Sequence, residues 1–165
     1  MKKNLLLIVL LIYSFIPISA QHLSFDGYSI NGTIANFQKG LENSGYTVNS
    51  SLSSAFAKDH KKVFTGDHIG SPCDLYVYYG PNNNVSWVRA VYSNYSELYA
   101  EAYYEEAIKW IKMLYPGSRS VKDGSKITFY PKTKKGVQLG RVVINLTHLL
   151  DYSVFVDYYD RTYFK

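Results

Sequence analysis

The chain has 165 residues, 47% hydrophobic and 16% aromatic, with 18 basic against 13 acidic side chains and a formal net charge of +5. That length fits one domain large enough to bury its own core. Cys73 is the single cysteine, which excludes an internal disulfide framework, and the modest positive charge comes with no nucleic-acid-binding motif.

In chain order, MKKNLLLIVLLIYSFIPISAQ reads as a signal peptide over residues 1–20. Lys2 and Lys3 form the basic start, Leu5 to Ile16 the apolar run, and Ser19-Ala20 a small-residue cleavage site before Gln21. The run is shorter than the ~20 apolar residues of a spanning helix, and Gln21 is not the cysteine of a lipoprotein anchor. The expectation is an exported protein, periplasmic or secreted, with no membrane span after cleavage and a single α+β domain at 21–165.

HLSFDGYSING suggests a short strand and a turn. TIANFQKGLENSGY then places Ile34, Phe37 and Leu41 on one helical face, with Thr33 as N-cap and Gly45 as the left-handed terminator. Gly40 costs this helix about 1 kcal/mol relative to alanine, so packing must hold it. The Ser-rich stretch 49–62 reads as a ragged strand with a long loop, or as a mobile segment.

KKVFTGDHIG returns to strand character, followed by a hairpin, DLYVYYGPNNNVSWVRAVYSNY, with its turn at Gly80-Pro81-Asn82-Asn83. A four-residue loop pairs Tyr79 with Asn84, Val77 with Ser86, Leu75 with Val88 and Asp74 with Arg89. A five-residue loop sets Arg89 among the apolar residues, where an unpaired guanidinium costs several kcal/mol, so the four-residue register is expected. It leaves Tyr76, Tyr78, Trp87 and Arg89 on one sheet face. Those rings suit contact with a sugar or a protein; the competing reading is that they only cover the sheet, because aromatics favour strands for packing reasons.

The longest helix, SELYAEAYYEEAIKWIKMLYPG, has a capping-box-like start at Asn94 and Glu97 and ends at Pro116-Gly117. Tyr99, Tyr103, Ala107, Trp110, Ile111 and Leu114 share the face expected to be buried. Glu101, Glu105, Lys109 and Lys112 lie opposite, with Glu105–Lys109 as a favourable pair. Arg119 to Arg141 then carries seven cations against Asp123 alone. This is either a patch for an acidic glycan or lipid headgroup, or solvated charge around loops. KITFYPK, GVQLGRVVINLT and DYSVFVDYYD close the chain as strands. The order predicts an antiparallel sheet of about six strands with two helices packed on one face, compatible with two helix-plus-three-strand halves.

The chain contains no G-x-S-x-G, H-E-x-x-H, Walker or G-x-G-x-x-G motif, and neither a cofactor nor a metal site is expected. Asp59-His60 and Asp67-His68 are the only Asp-His neighbours, and their spacing matches no standard ligand pattern. Glu101, Glu105 and Glu106 fall where a solvated helix face puts them, not across a cleft as glycoside hydrolysis requires. Five Asn-x-Ser/Thr sequons, at Asn31, Asn49, Asn84, Asn94 and Asn145, reflect an Asn- and Ser-rich composition.

The segments FDGYSINGTIANFQKGLENSGY, VFTGDHIGSPCDLYVYY, VRAVYSNYSELYAEAYYEEAIKWIKMLYPG and VFVDYYD resemble uncharacterised exported proteins of gut-type Gram-negative bacteria, a domain of unknown function. The resemblance implies a bacterial periplasmic or secreted location and transfers no catalytic or ligand residue. The resulting expectation is a non-enzymatic binding or interaction module of the cell envelope. It would use Tyr76, Tyr78, Trp87 and Arg89 toward an envelope protein or a glycan, and not toward nucleic acid. The alternative is a small secreted hydrolase built from His60, Asp67, His68, Cys73 and Asp74.

Overall fold

A computed structural model describes residues 22–148 and 152–164, the side chains of Asn94 and Tyr95 excepted. The leader reading at 1–20 lies outside them. The described chain begins with a small hairpin, β1 (Ser24–Phe25) and β2 (Tyr28–Ser29). Asp26 and Gly27 turn it with φ of 47° and 84°, the double positive pair that a two-residue hairpin loop demands. Helix α1 (Ile34–Asn43) follows, capped by the Thr33 hydroxyl, which accepts from the Asn36 N–H. It closes at Gly45, φ +91°, where the Tyr46 N–H reaches back to the Leu41 carbonyl and the Gly45 N–H to that of Glu42. This is the helix-end geometry that glycine permits without a Cβ penalty.

The next elements are β3 (Thr47–Val48), α2 (Ser50–Ala55), β4 (Lys61–His68), β5 (Ser71–Tyr79) and β6 (Val85–Tyr95). Helix α3 (Glu97–Leu114) precedes β7 (Arg119–Asp123), β8 (Lys126–Tyr130), β9 (Gly140–Thr147) and β10 (Tyr152–Asp160), and a 3-10 turn covers Arg161–Phe164. Strands β3 to β10 form one antiparallel sheet in the order β3-β4-β5-β6-β10-β9-β8-β7. Each long helix is therefore followed by a four-strand meander, and the last strands of the two meanders pair at the centre. No described helix is long and apolar enough to cross a membrane.

One sheet face is the core. Leu75, Val77, Val88, Ala90, Val142, Ile144, Val154 and Val156 alternate along the central strands and pack in one cluster with α1, α3 and the β1–β2 hairpin. From α1 the cluster takes Phe37 and Leu41, from α3 Ala107 and Ile111, and from the N-terminal segment Leu23, Phe25 and Ile30. Burying each large aliphatic side chain contributes about 1.5–3 kcal/mol. Two glycines make room for rings. A Cβ on Gly40 would lie 2.4 Å from the Tyr28 ring, and one on Gly66 would lie 2.4 Å from the Tyr46 ring. Gly40 is thus a docking place for an aromatic, which is how packing holds a helix with glycine inside it.

The α+β class and the shared face of the two long helices are as expected, but the detail differs. Among the described residues the large sheet has eight strands and there are three α-helices. Strand β3 is two residues long, and β7 is an edge strand exposed at every position, so neither carries the apolar alternation that would reveal it. The 49–62 stretch is ordered into α2 by Asn49, whose side chain accepts from the Leu52 N–H. Helix α3 starts at Glu97 with Ser96 as its N-cap; pairing of Tyr95 with Tyr152 keeps β6 extended past Asn94. Its buried stripe is Ala100, Tyr103, Tyr104, Ala107, Ile108 and Ile111, while Tyr99 and Leu114 are exposed. Lys109 pairs with Glu106 at 3.6 Å rather than with Glu105.

The hairpin register also differs. Tyr76 faces Arg89, Val77 faces Val88 and Tyr78 faces Trp87, with a bulge before Tyr79 opposite Val85. Asn84 does not pair with Tyr79 because it bridges to Thr33. The Ile34 N–H also bonds the Asn83 carbonyl, and the Val85 N–H that of Gly32, each at 2.8–2.9 Å. The α1 entry pins the loop. The slip from the expected pairing is two residues, and an even slip leaves every side chain on its expected face.

Candidate functional site

Tyr76, Tyr78, Trp87 and Arg89 do share the sheet face opposite α1 and α3, and all four are half-exposed. Among the described residues, Phe56, which follows α2, meets the Tyr76 ring at that face, and Tyr163 of the C-terminal turn meets the rings of Trp87 and Tyr159. Cross-strand pairing sets Lys61 beside Tyr78, Tyr78 beside Trp87, Trp87 beside Tyr159, and Tyr159 beside Arg141. The Tyr78 and Trp87 rings stack at 3.7 Å and 11°, and those of Trp87 and Tyr159 at 5.1 Å and 15°. The Lys61 ammonium lies 5.0 Å from the Tyr78 ring and the Arg141 guanidinium 4.7 Å from that of Tyr159. Five strands thereby contribute to one ladder of three rings with a cation at each end.

This geometry changes what the rings can do. Both faces of the Trp87 indole are taken by neighbouring tyrosines, the outer tyrosine faces are taken by cations, and the Tyr163 ring packs against Trp87 at 6.0 Å and Tyr159 at 5.0 Å. Each stacked pair contributes about 0.5–1.5 kcal/mol beyond area burial and each exposed cation–π contact about 0.5–1 kcal/mol. A sugar has no flat indole face to lie on at Trp87.

The neighbouring row is Val63, Tyr76, Arg89, Asp157, Val143 and Thr128. Asp157, not Asp74, is the partner of Arg89: Arg89 Nε donates to Asp157 Oδ1 at 2.7 Å and Nη2 to Oδ2 at 3.0 Å. Trp87 Nε1 donates to the same Oδ1 at 2.8 Å. Asp74 faces Val91 instead. Burial opposes the charge on Arg89, and the Asp157 carboxylate more than restores it, raising the guanidinium pKa. The bidentate fork is the strong form of such a pair.

Beside this pair lies a pocket of about 320 Å³, lined by Arg89, Lys126, Thr128, Tyr130, Arg141, Val143, Asn145, Asp157 and Tyr159. Only Lys126 and Arg141 of the seven-cation segment reach it. Arg119 and Lys122 belong to β7, and Lys132, Lys134 and Lys135 to the exposed loop before β9.

The alternative constellation is not assembled. His60 precedes β4 and His68 ends it, roughly 25 Å apart along an extended strand. His60 sits at a left-handed turn with its ring 5.6 Å from Tyr79. His68 is buried with both ring nitrogens engaged, Nδ1 with Asp26 Oδ1 and Nε2 with the Tyr158 hydroxyl, each at 3.1 Å. The Cys73 thiol is buried, and burial, with Asp26, Asp74 and Asp67 nearby, pushes it up to about 12, far from the thiolate that nucleophilic attack needs. A depression of about 520 Å³ is lined by Asp67, Cys73 and Asp74 among others, but by neither histidine. Glu101, Glu105 and Glu106 are exposed on α3. Among the described residues no three His, Cys, Asp or Glu side chains are placed to hold a metal ion.

Asp157, Tyr159, Lys61 and Arg141 were not picked out from the sequence as site residues. The partners of Asp157 and Tyr159 are brought by β6–β10 pairing across about seventy positions, and those of Lys61 and Arg141 by the β4–β5 and β9–β10 pairings. One local signal points to the first of them, since an aspartate inside the apolar run SVFVDYY needs a partner if buried. Of the sequons, Asn49 caps α2, Asn31 donates to His22 Nε2 at 2.9 Å, and Asn145 lines the pocket. Comparison of the chain with protein-family models, with curated proteins and with solved structures finds no match in any of the three.

Proposed function

We propose that the chain is an exported, non-enzymatic binding module of the bacterial cell envelope, and that it engages an envelope glycan through the helix-free face of its sheet. Export rests on the leader-like residues 1–20 and on the resemblance described above. The observation that carries the binding reading is the unequal treatment of the two faces. One is sealed by α1, α3 and the β1–β2 hairpin, while the other leaves Tyr76, Tyr78, Trp87, Arg89, Tyr130 and Tyr159 half-exposed beside a polar pocket. Half-buried rings among fixed donors are the usual furniture of a recognition surface.

The test is binding to an immobilised panel of acidic and neutral polysaccharides by the wild type, Trp87→Ala, Tyr76→Ala and Tyr99→Ala, each checked for folding by circular dichroism. Trp87 braces Asp157, so Tyr76→Ala is the variant that reports on the face with the smaller structural effect. Tyr99, on α3 and 68% exposed, is the control. Expected is a loss of about tenfold or more for both open-face variants, in the range of one lost contact of 1.4 kcal/mol or more, with Tyr99→Ala unchanged. Equal retention by all four proteins, or retention by none, removes the reading.

A further inference from the structure

The β8–β9–β10 pocket carries an excess of positive charge. Three cations line it, Arg89, Lys126 and Arg141, against the Asp157 carboxylate alone, and Arg89 already holds both oxygens of Asp157. The other two make no ion pair among the described residues. Arg141 is fixed by its neighbours: its guanidinium carbon lies 4.7 Å from the Tyr159 ring and 4.5 Å from that of Phe164, and its Nε is buried without a hydrogen-bond partner. A desolvated, oriented guanidinium N–H with nothing to donate to is costly, and an oxyanion is the group that satisfies it best.

Thr128, Tyr130 and Asn145 add a hydroxyl, a phenol and an amide to the lining. Lys126 and Asn145 stand opposite one another across β8 and β9, and Thr128 stands opposite Val143 on the floor. Tyr130 differs from the ladder rings. Among the described residues it stacks on no aromatic ring and lies under no cation, so its half-exposed ring is open to a ligand. A volume of about 320 Å³ is at the small end of ligand pockets, enough for one sugar unit and no more.

Resting on the reading of the open face as the glycan surface, we infer that this pocket takes a single acidic sugar unit. Its carboxylate or sulfate sits against Arg141 and Lys126, its hydroxyls meet Thr128 and Asn145, and its ring lies on Tyr130. Oxyanion capture is the chemistry shared by uronate and sulfated sugars; the Tyr130 ring and the neutral donors favour a sugar over a bare anion or an acidic side chain.

The experiment is calorimetric titration of the full chain with sodium glucuronate, glucose, sodium sulfate and the peptide Gly-Glu-Gly. Expected is one saturable glucuronate site and no heat from glucose. Lys126→Gln, an exposed position that the fold does not depend on, weakens glucuronate at least about tenfold, and Tyr130→Leu weakens glucuronate while leaving sulfate unchanged. Sulfate or the peptide binding as tightly as glucuronate, with Tyr130→Leu silent, overturns the sugar assignment. Glucuronate affinity unmoved by Lys126→Gln and Arg141→Gln overturns the pocket. If those variants also keep polysaccharide binding that Tyr76→Ala loses, the pocket falls and the open-face reading stands. If glucuronate binds in the pocket but no polysaccharide is retained, the open-face reading falls alone.

Discussion

The two faces of the central sheet solve one problem in different ways. On the covered face, strand residues such as Leu75, Val88, Ile144 and Val156 are fully buried under helices and the N-terminal hairpin. On the other face the strands cover one another: Lys61, Tyr78, Trp87, Tyr159 and Arg141 lie side by side in register, each shielding the next from water. The first arrangement stabilises through area and close packing. The second stabilises through registered pairs, and it leaves edges, donors and a charged pocket at the surface. A face that covers itself needs no further layer, and so it can remain available.

The comparison is broken most directly by cutting matched holes. Val88→Ala on the covered face, where Val88 is fully buried, is expected to cost about 2–4 kcal/mol, since it leaves a cavity in a tight core. Val143→Ala, on the open face and 7% exposed, is expected to cost about 1–2 kcal/mol because water can enter the space. Urea denaturation with a common slope measures both. Comparable losses would mean that the open face is packed as a second core.

On the open face the charged pair outweighs the aliphatics. Asp157→Ala strands Arg89 and the Trp87 N–H together, and a loss of about 2–4 kcal/mol is expected once the one-third exposure of the Arg89 side chain is allowed for. Asp157→Asn keeps an acceptor and should cost less than half of that. A Trp87 fluorescence change in Asp157→Ala without a stability change would place the pair outside the fold's support.

Gly40 marks a smaller effect with an unusual sign. In an exposed helix interior, alanine for glycine gains about 1 kcal/mol. Here the added methyl meets the Tyr28 ring at 2.4 Å, and Gly40→Ala is expected to lose about 1–3 kcal/mol as the ring is displaced. The double variant Gly40→Ala with Tyr28→Ser tests the cause: part of the loss should return.

Those positions show what the sequence discloses and where it stops. Face assignment along β5 and β6 follows from alternation alone, because period two survives an even slip of register. The register itself depends on Thr33, which captures Asn84 from about fifty positions away, and no local pattern carries that. The α1 caps at Thr33 and Gly45 are local chemistry and were legible. The start of α3 was not, since β10 holds Tyr95 in the sheet. Tyr76, Tyr78, Trp87 and Arg89 could be grouped in advance, yet their orientation came from outside the hairpin. Tyr159 closes the second face of Trp87 and Asp157 takes Arg89, and both belong to the last strand.

The smallest effect concerns the seam that joins the N-terminal hairpin to the covered face. Burial alone would raise the Asp26 pKa, but the His68 hydrogen bond and charge and the Tyr46 hydroxyl at 2.6 Å outweigh it, and the net shift is downward. A carboxyl with its folded pKa below the ordinary unfolded value of about 3.9 favours the folded state at every pH above that value. The contribution fades as pH falls through the lowered folded pKa. With the Asp26 side chain 24% exposed, it is expected to be under about 1 kcal/mol. Wild type should therefore lose stability between pH 5 and 2, and Asp26→Asn, already weaker at pH 7, should lose less over the same interval. Parallel limbs for wild type and Asp26→Asn would show that the hairpin is held by Leu23, Phe25 and Ile30 alone, and that the polar seam only fills space.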